Sequence, residues 1–273
     1  MKIGILTLGP GLNYGGILQA WALQTVLRRR GHDARTLIFN SMLPYGLCKS
    51  LVLYAYRTWL RIRWGKRAMP VFREHYNHKL EQAVGGKMRE FVDQRMKTAT
   101  YGKPTDISRG DFDGFVVGSD QVWRHYVTAS LRANIENAYL DFADGWDVKR
   151  VAYAASFGRN STEGYSRRAL RRCRDLIARF DAVSVRDEMS AGMCRRLYDA
   201  RAELVADPTL LLKREDYLSL LTDNKSVTEK FRGEKIQFWA MGLSLFCSIM
   251  YSLLITENGS MHLWWPGGWV WRR

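Results

Sequence analysis

The chain has 273 residues, 47% hydrophobic and 12% aromatic, so it is long and apolar enough to bury a full core and is not a disordered tail. Its formal net charge is +15, and Arg outnumbers Lys, which fits an anionic partner such as a phosphorylated small molecule, an acidic glycan, an anionic membrane face or nucleic acid; for most of these side chains we favour a solvated surface. The four cysteines form no C-x-x-C pair and the five histidines no H-E-x-x-H motif, which argues against a disulfide scaffold and predicts no metal site.

The first 40 residues alternate between strand and helix patterns. The apolar run from Lys2 to Leu8 predicts a buried strand and is too short for a secretion signal. A Gly-rich loop follows, then a helix predicted over Ile17 to Arg30 and ended by Gly31. Ala34 to Phe39 predicts a second strand, and this order is typical of a parallel α/β sheet.

The stretch from about 42 to 108 contains no clear strand. Ser50 to Trp64 is apolar, aromatic and basic, which is typical of a helix lying on a membrane surface or on another protein. The interpretation we favour is a helical insertion packed on the same domain, with Arg side chains covering apolar surface.

After residue 108 the α/β alternation resumes. The strands predicted here are Phe112–Gly118, Val151–Phe157, Ala182–Arg186 and Glu203–Ala206. The basic helices predicted between them are Tyr165–Phe180 and Met189–Tyr198. About six strands with helical crossovers predict a doubly wound, mostly parallel, Rossmann-like sheet.

The C-terminal segment differs in composition. The sequence predicts a Rossmann-like domain over 1–213, a linker-like segment over 214–235 and an atypical hydrophobic, Trp-rich tail over 236–273. Ile236 to Ile255 is uncharged and long enough for a transmembrane helix, so the tail is interpreted either as a membrane anchor or as the product of a lost reading frame. We rank the lost frame slightly higher, because no further α/β unit follows.

Ligands of open parallel sheets bind beyond the carboxyl ends of the strands, so the residues after each strand are site candidates. Asn13, Tyr14, Gly15 and Gly16 follow the first strand and open a helix, where free backbone N–H groups attract anions. A tight turn with Asn13 as the helix cap is an equal interpretation.

Polar residues also follow the strand predicted at 112–118. Asp120, between Ser119 and Gln121, is suited to bind sugar hydroxyls or to act as a general base. Trp123 is suited to stack on a sugar ring. The alternative is a helix cap by Ser119 or Asp120, with Trp123 in the core.

Three further strand ends carry polar residues. Ser156 ends the fourth predicted strand, and Arg186 ends the fifth. Arg186 is placed for an anion there, or for a salt bridge with Asp187 or another acid. Asp207-Pro-Thr209 predicts a rigid turn that leaves the sheet. Because the carboxyl ends of parallel strands share one edge, these clusters together predict a site at that edge.

Six segments of the sequence resemble the polysaccharide pyruvyl transferase family in residues, order and spacing. They are Asn13–Gln24, Phe112–Trp123, Tyr139–Phe142, Ala152–Gly158, Val183–Glu188 and Ala206–Thr209. The G-S-D-Q-V-W and Y-A-A-S-F-G pieces are specific in combination, and the resemblance covers about residues 1–220.

The resemblance implies the N-terminal half of a GT-B-like architecture. It implies a transferase of exopolysaccharide biosynthesis that moves the enolpyruvyl unit of phosphoenolpyruvate onto two sugar hydroxyls as a ketal, with release of phosphate. Phosphoenolpyruvate is then the donor and a glycan or lipid-linked sugar the acceptor, with no cofactor and no metal. Nucleic acid is not expected as a partner, because the sequence contains no RNP, helix-turn-helix or zinc-finger pattern. The implied location is the cytoplasm, or its membrane face with contact to the membrane surface.

Carried over to the matching positions, the resemblance assigns Asp120 as the catalytic residue, a sugar-side base or hydroxyl anchor. It assigns Arg186 as a contact of the donor anion. The other substrate-binding residues it implies are Asn13, Tyr14, Gly15, Gln19, Ser119, Gln121 and Ser156.

The sequence departs from the family pattern after about residue 235. Family members continue into a second α/β domain that completes the donor site, so this chain is expected to lack half of its cleft. The alternative function is therefore a truncated, non-catalytic family member that at most binds a glycan or a partner. A nucleotide-sugar glycosyltransferase on the same architecture is a weaker alternative, because it needs the same second domain.

Overall fold

The computed structural model describes residues 1–9, 13–39, 47–64, 85–125 and 135–222. The chain divides into two units, Met1–Lys213 and Arg214–Arg273, and the described part of the second is a single helix, Arg214–Thr222. The two interpretations of the tail at 236–273 lie outside the described residues, as does the linker-like segment beyond residue 222. Those assignments stay predictions.

The described part of the first unit contains one sheet of seven parallel strands. The strands are β1 (Lys2–Leu6), β2 (Asp33–Phe39), β3 (Thr98–Tyr101), β4 (Gly114–Val117), β5 (Lys149–Ala155), β6 (Ala182–Val185) and β7 (Glu203–Leu204). Their spatial order is β3-β2-β1-β4-β5-β6-β7, so the chain winds outward from β1, returns beside it with β4, and then winds the other way. The predicted doubly wound, Rossmann-like sheet is confirmed, and the point where the winding reverses lies between β1 and β4.

Strand β3 lies in the stretch where the sequence predicts no clear strand, so that prediction is wrong there. Its residues pair with Thr36 to Phe39 of β2 at the edge of the sheet. The four side chains alternate between exposed and half-buried. A short edge strand contributes little apolar surface to the core, and the apolar pattern that reveals a central strand is therefore missing.

Six α-helices are described, and side-chain caps set where several begin. They are α1 (Tyr14–Arg29), α2 (Leu47–Trp64), α3 (Gly86–Arg95), α4 (Arg167–Ile177), α5 (Glu188–Tyr198) and α6 (Arg214–Thr222). Helix α1 begins three residues before its predicted start at Ile17, because the Asn13 side chain accepts a hydrogen bond from the Gly15 N–H at 3.1 Å. Ser166 and Asp187 cap α4 and α5 in the same way.

Helix α2 confirms the helix predicted at 50–64, but not its packing. The large apolar side chains that it leaves exposed are Leu51, Val52, Tyr56, Trp59 and Ile62. The interpretation of an insertion packed on the same domain is therefore wrong for this face of the helix. Within the described ranges, no helix combines the length and the apolar character needed to cross a membrane.

Apolar side chains cover both faces of the sheet. Ile3, Ile5 and Val116 pack with Leu23 of α1 on one face. The larger cluster contains Trp123, which is fully buried and stacks on Tyr139 with ring centroids 5.3 Å apart. Trp123 is thus a core residue, and its suggested role as a platform for a sugar ring is wrong. Its burial fixes the turn that follows β4.

Candidate functional site

The carboxyl ends of β4, β6 and β7 bring three charged side chains together. The Arg186 guanidinium, after β6, lies 3.6 Å from Asp120 Oδ1, after β4. It also lies 3.6 Å from Asp207 Oδ2, after β7. We call these three residues the strand-end cluster. All three side chains are largely withdrawn from solvent, so their charges interact more strongly than surface charges do.

Arg186 pairs with these two acids and not with its neighbour Asp187. The Asp187 carboxylate instead caps α5, where it accepts a hydrogen bond from the Ser190 N–H at 2.7 Å. At 3.6 Å the contacts of Arg186 are ion pairs rather than hydrogen bonds. The guanidinium group therefore keeps N–H donors that can bind a carboxylate or phosphate of a ligand.

Asp120 is the most buried acid of the cluster, and its environment changes its acidity. Burial raises the pKa of the Asp120 carboxyl above its ordinary value. The Arg186 charge and the Gln121 N–H, which donates to Oδ1 at 2.7 Å, oppose this rise, whereas the Asp207 charge adds to it. The result is a carboxylate that accepts a proton more readily than an exposed aspartate, as a general base requires.

Asp207 is the member of the cluster that the sequence analysis placed at a strand end but did not assign to the site. Its Oδ2 accepts a hydrogen bond from Gln19 Nε2 of α1 and contacts Arg186. Its Oδ1 accepts from the Thr209 backbone N–H at 3.0 Å and from the Thr209 hydroxyl at 2.7 Å. The carboxylate thus joins α1, the end of β6 and the turn after β7. Its position three residues after a strand, like that of Asp120, is the signal that could have assigned it to the site.

The N-terminus of α1 lies beside Asp120. A Cβ built on Gly16 would lie 3.4 Å from Asp120 Oδ2 and 3.4 Å from Asn13 Nδ2. The backbone of the first turn therefore approaches the cluster closely, with Gly15 capped by Asn13 and Tyr14 exposed at the rim. The first turn contains no acidic residue that would offset the positive end of the helix dipole.

Glycine is required at position 118, where β4 ends. Gly118 has a φ of +124°, and a Cβ there would overlap the Tyr153 carbonyl oxygen of β5. The next residues form a turn and no helix, so the proposed helix cap by Ser119 or Asp120 is wrong. The turn is held by the Asp120 carbonyl, which accepts from the Ser156 N–H at 3.1 Å.

The remaining predicted site residues differ in how they face the cluster. The Ser119 hydroxyl is buried and has no hydrogen-bond partner among the described residues. Gln121 Oε1 accepts from Arg124 at 2.8 Å. The Ser156 hydroxyl accepts from the Gly158 N–H at 2.9 Å and so stabilises its own turn. Substrate contacts by these three residues stay predictions.

The family comparison adds to this geometry. The model of the family described as polysaccharide pyruvyl transferase matches residues 13–255. The chain belongs to the polysaccharide pyruvyl transferase family. The match contains the whole strand-end cluster and continues beyond residue 220, where the sequence resemblance was expected to end. Comparisons with curated proteins and with solved structures found no match.

As a polysaccharide pyruvyl transferase family member the chain is a transferase with a glycan acceptor. Its strand-end cluster offers one guanidinium, two carboxylates and a helix N-terminus. This set fits a ligand that combines an anion with hydroxyl groups, because cations and backbone N–H groups bind the first and carboxylates the second. In the part of the chain that is described, no group of three or more His, Cys, Asp and Glu side chains suits a metal ion.

Proposed function

We propose that the chain transfers the pyruvyl group of phosphoenolpyruvate to two hydroxyls of a glycan or lipid-linked sugar in the cytoplasm. The product is a pyruvate ketal of a cell-surface polysaccharide, and phosphate is released. The observation that carries the proposal is the strand-end cluster beside the N-terminus of α1, in a chain of this family.

Phosphoenolpyruvate carries a carboxylate and a phosphate, and the positively charged groups of the site are proposed to bind both. The Arg186 guanidinium lies between the carboxylates of Asp120 and Asp207, and α1 begins next to Asp120 with Asn13 to Gly16. Asp207, held by Gln19, keeps Arg186 in place. Tyr14, Ser119, Gln121 and Ser156 are proposed as further substrate contacts.

Ketal formation sets the proton transfers that the site must perform. Two new C–O bonds form at the central carbon of the donor, and its C–O bond to phosphate breaks. Of the two protons lost by the sugar hydroxyls, one ends on the methylene carbon, which becomes a methyl group, and the other leaves with phosphate. Asp120 is proposed as the base that takes a hydroxyl proton, a role that its raised pKa supports.

The test is phosphate release from phosphoenolpyruvate by the full chain with a panel of glycan and lipid-linked acceptors. The Asp120→Asn variant is expected to lose activity by about 10²- to 10⁴-fold, the usual contribution of a general base. Because the base must be ionised, activity should fall as the pH drops through the pKa of Asp120, which lies above the ordinary 3.8.

The Arg186→Lys variant should raise KM for phosphoenolpyruvate more than it lowers kcat, because a lysine ammonium group cannot form the paired hydrogen bonds of a planar guanidinium group.

Asp147→Asn is the matched control, because this exposed aspartate precedes β5 and so lies at the amino ends of the strands, away from the strand-end cluster. It should leave turnover unchanged. Unchanged turnover in a folded Asp120→Asn variant would remove Asp120 from the proposed chemistry. Thermal stabilisation by a glycan, with neither stabilisation by phosphoenolpyruvate nor phosphate release, would instead indicate the binding-only family member.

A further inference from the structure

Helix α2 carries an exposed apolar surface that the proposed reaction does not use. Its members are Leu51, Val52, Tyr56, Trp59 and Ile62, with 65%, 68%, 54%, 53% and 81% of their surface exposed. At about 100° of rotation per residue, these five positions fall within an arc of roughly 140°. We call this surface the α2 face. Exposed apolar residues collected on one side of a helix are typical of an interaction surface.

The α2 face contains the side-chain types that favour a boundary between water and lipid. The Tyr56 and Trp59 rings stack with centroids 6.4 Å apart and an interplanar angle of 20°. Aromatic rings with a polar group are enriched at the level of lipid headgroups, and Leu, Val and Ile enter the acyl region below them. The α2 face therefore combines the side-chain types that bind the headgroup level of a bilayer with those that bind the acyl region.

The helix itself and the sequence on either side of it carry a positive net charge. The 18 residues of α2 include four basic residues and no acidic one. The stretch from Arg28 to Glu74 contains 11 basic and two acidic residues, and the whole chain carries +15. An occupant of this surface must thus be apolar and negatively charged at the same time, which describes the surface of an anionic membrane.

We propose that α2 docks the protein on an anionic membrane surface, with the helix axis in the plane of the bilayer. The α2 face enters the boundary between headgroups and acyl chains, and the positive charge of the helix attracts the headgroups. The helix lies on the membrane and does not cross it, in agreement with its basic composition and with the absence of a spanning helix among the described residues. Docking needs neither donor nor acceptor, so it stands independently of the proposed reaction.

The test is co-sedimentation of the full chain with two kinds of vesicle. One contains equal parts of phosphatidylglycerol and phosphatidylcholine, and the other contains phosphatidylcholine alone. The chain is expected to bind the anionic vesicles at least about tenfold more tightly, and binding should weaken as added salt screens the charges. The double variant Trp59→Ser, Ile62→Ser should lower affinity for the anionic vesicles by about tenfold or more.

The matched control is Leu204→Ser, Leu210→Ser, which removes two exposed apolar side chains elsewhere in the same unit. Far-ultraviolet circular dichroism confirms that both double variants are folded, and the control should bind as the unmodified chain does. The proposal is overturned by equal binding to both vesicles, by no binding, or by unchanged binding of the Trp59/Ile62 variant. A concentration-dependent dimer that this variant abolishes, without vesicle binding, would assign the α2 face to a second copy of the chain instead.

Discussion

At the scale of single residues, the strand-end cluster couples the ionisation of one acid to two neighbours. The positive charge of Arg186 favours the ionised form of Asp120, and the negative charge of Asp207 disfavours it. Because burial is the largest influence, the folded protein holds the Asp120 proton more tightly than the unfolded chain does. This group thus favours the folded state below its unfolded pKa of 3.8, and that contribution is lost as the pH rises through the folded pKa.

The Asp207→Asn variant tests this coupling. Removing the negative charge of Asp207 stabilises the Asp120 carboxylate, so the pKa of Asp120 falls. The acid limb of the pH profile of phosphate release is therefore expected to move to lower pH. A drop in kcat/KM is expected as well, by roughly tenfold or more, because Arg186 and Gln19 lose a charged partner worth about 1.5–3 kcal/mol.

Thr209→Val is the control for Asp207→Asn. It removes the hydroxyl that donates to Asp207 at 2.7 Å, but it leaves all three charges of the cluster in place. The acid limb should stay where it is. A limb that stays in place or moves to higher pH in the Asp207→Asn variant contradicts an electrostatic role for Asp207.

Position in the chain predicts some members of the site and not others. Asp120 and Arg186 could be found because each lies at the end of an apolar run that predicts a buried strand. Asp207 follows β7, which has only two residues, both exposed, and the proline after it indicates a turn. Its bonds to Gln19 and Arg186 connect residues far apart in the sequence, so no local pattern could reveal them.

At the scale of elements, the turn after β4 decides where Asp120 lies. Gly118 continues the hydrogen bonding of β4 with β1, since its N–H donates to the Leu6 carbonyl at 3.0 Å. Its positive φ then turns the chain away from the strand direction, close against the backbone of β5. The site thus depends on a contact between two backbones, with no side chain between them.

Gly118→Ala is expected to destabilise the protein by more than about 3 kcal/mol, because it combines an unfavourable backbone conformation with a steric overlap. The overlap is with the Tyr153 carbonyl oxygen, which belongs to a central strand and cannot move freely. Gly110→Ala is the matched control: its φ of +96° is also positive, but a Cβ there meets nothing within 4 Å. The control should cost about 1–2 kcal/mol. Urea unfolding measures both, and equal losses would contradict the steric argument.

The elements themselves were predictable to different degrees. Apolar runs predicted β1, β2, β4, β5 and β6, because central parallel strands are covered on both faces. The edge strand β3 and the start of α1 were not predicted, since one depends on pairing with β2 and the other on the Asn13 cap. The amphipathic pattern of α2 predicted a helix, but amphipathicity alone does not determine which surface the apolar side meets.

At the scale of the whole molecule, the core and the candidate site both belong to the first unit. All seven described strands, both apolar clusters and the strand-end cluster lie within Met1–Lys213. The larger cluster includes a chain of tyrosine hydroxyls, in which Tyr139 contacts Tyr198 at 2.9 Å and Tyr165 at 3.2 Å. A unit of this size with its own core is expected to fold by itself.

A chain of residues 1–213 is therefore expected to unfold in urea in one cooperative transition, with near-ultraviolet circular dichroism typical of fixed aromatic packing. It should also keep any thermal stabilisation by phosphoenolpyruvate that the full chain shows, because Arg186 and α1 are retained. The control is a chain of residues 1–181, which lacks β6, α5 and β7 and with them Arg186, Asp207 and the core residues Met193 and Tyr198. The shorter chain should lose both properties. A non-cooperative transition in the 1–213 chain would show that the first unit needs residues 214–273 to fold.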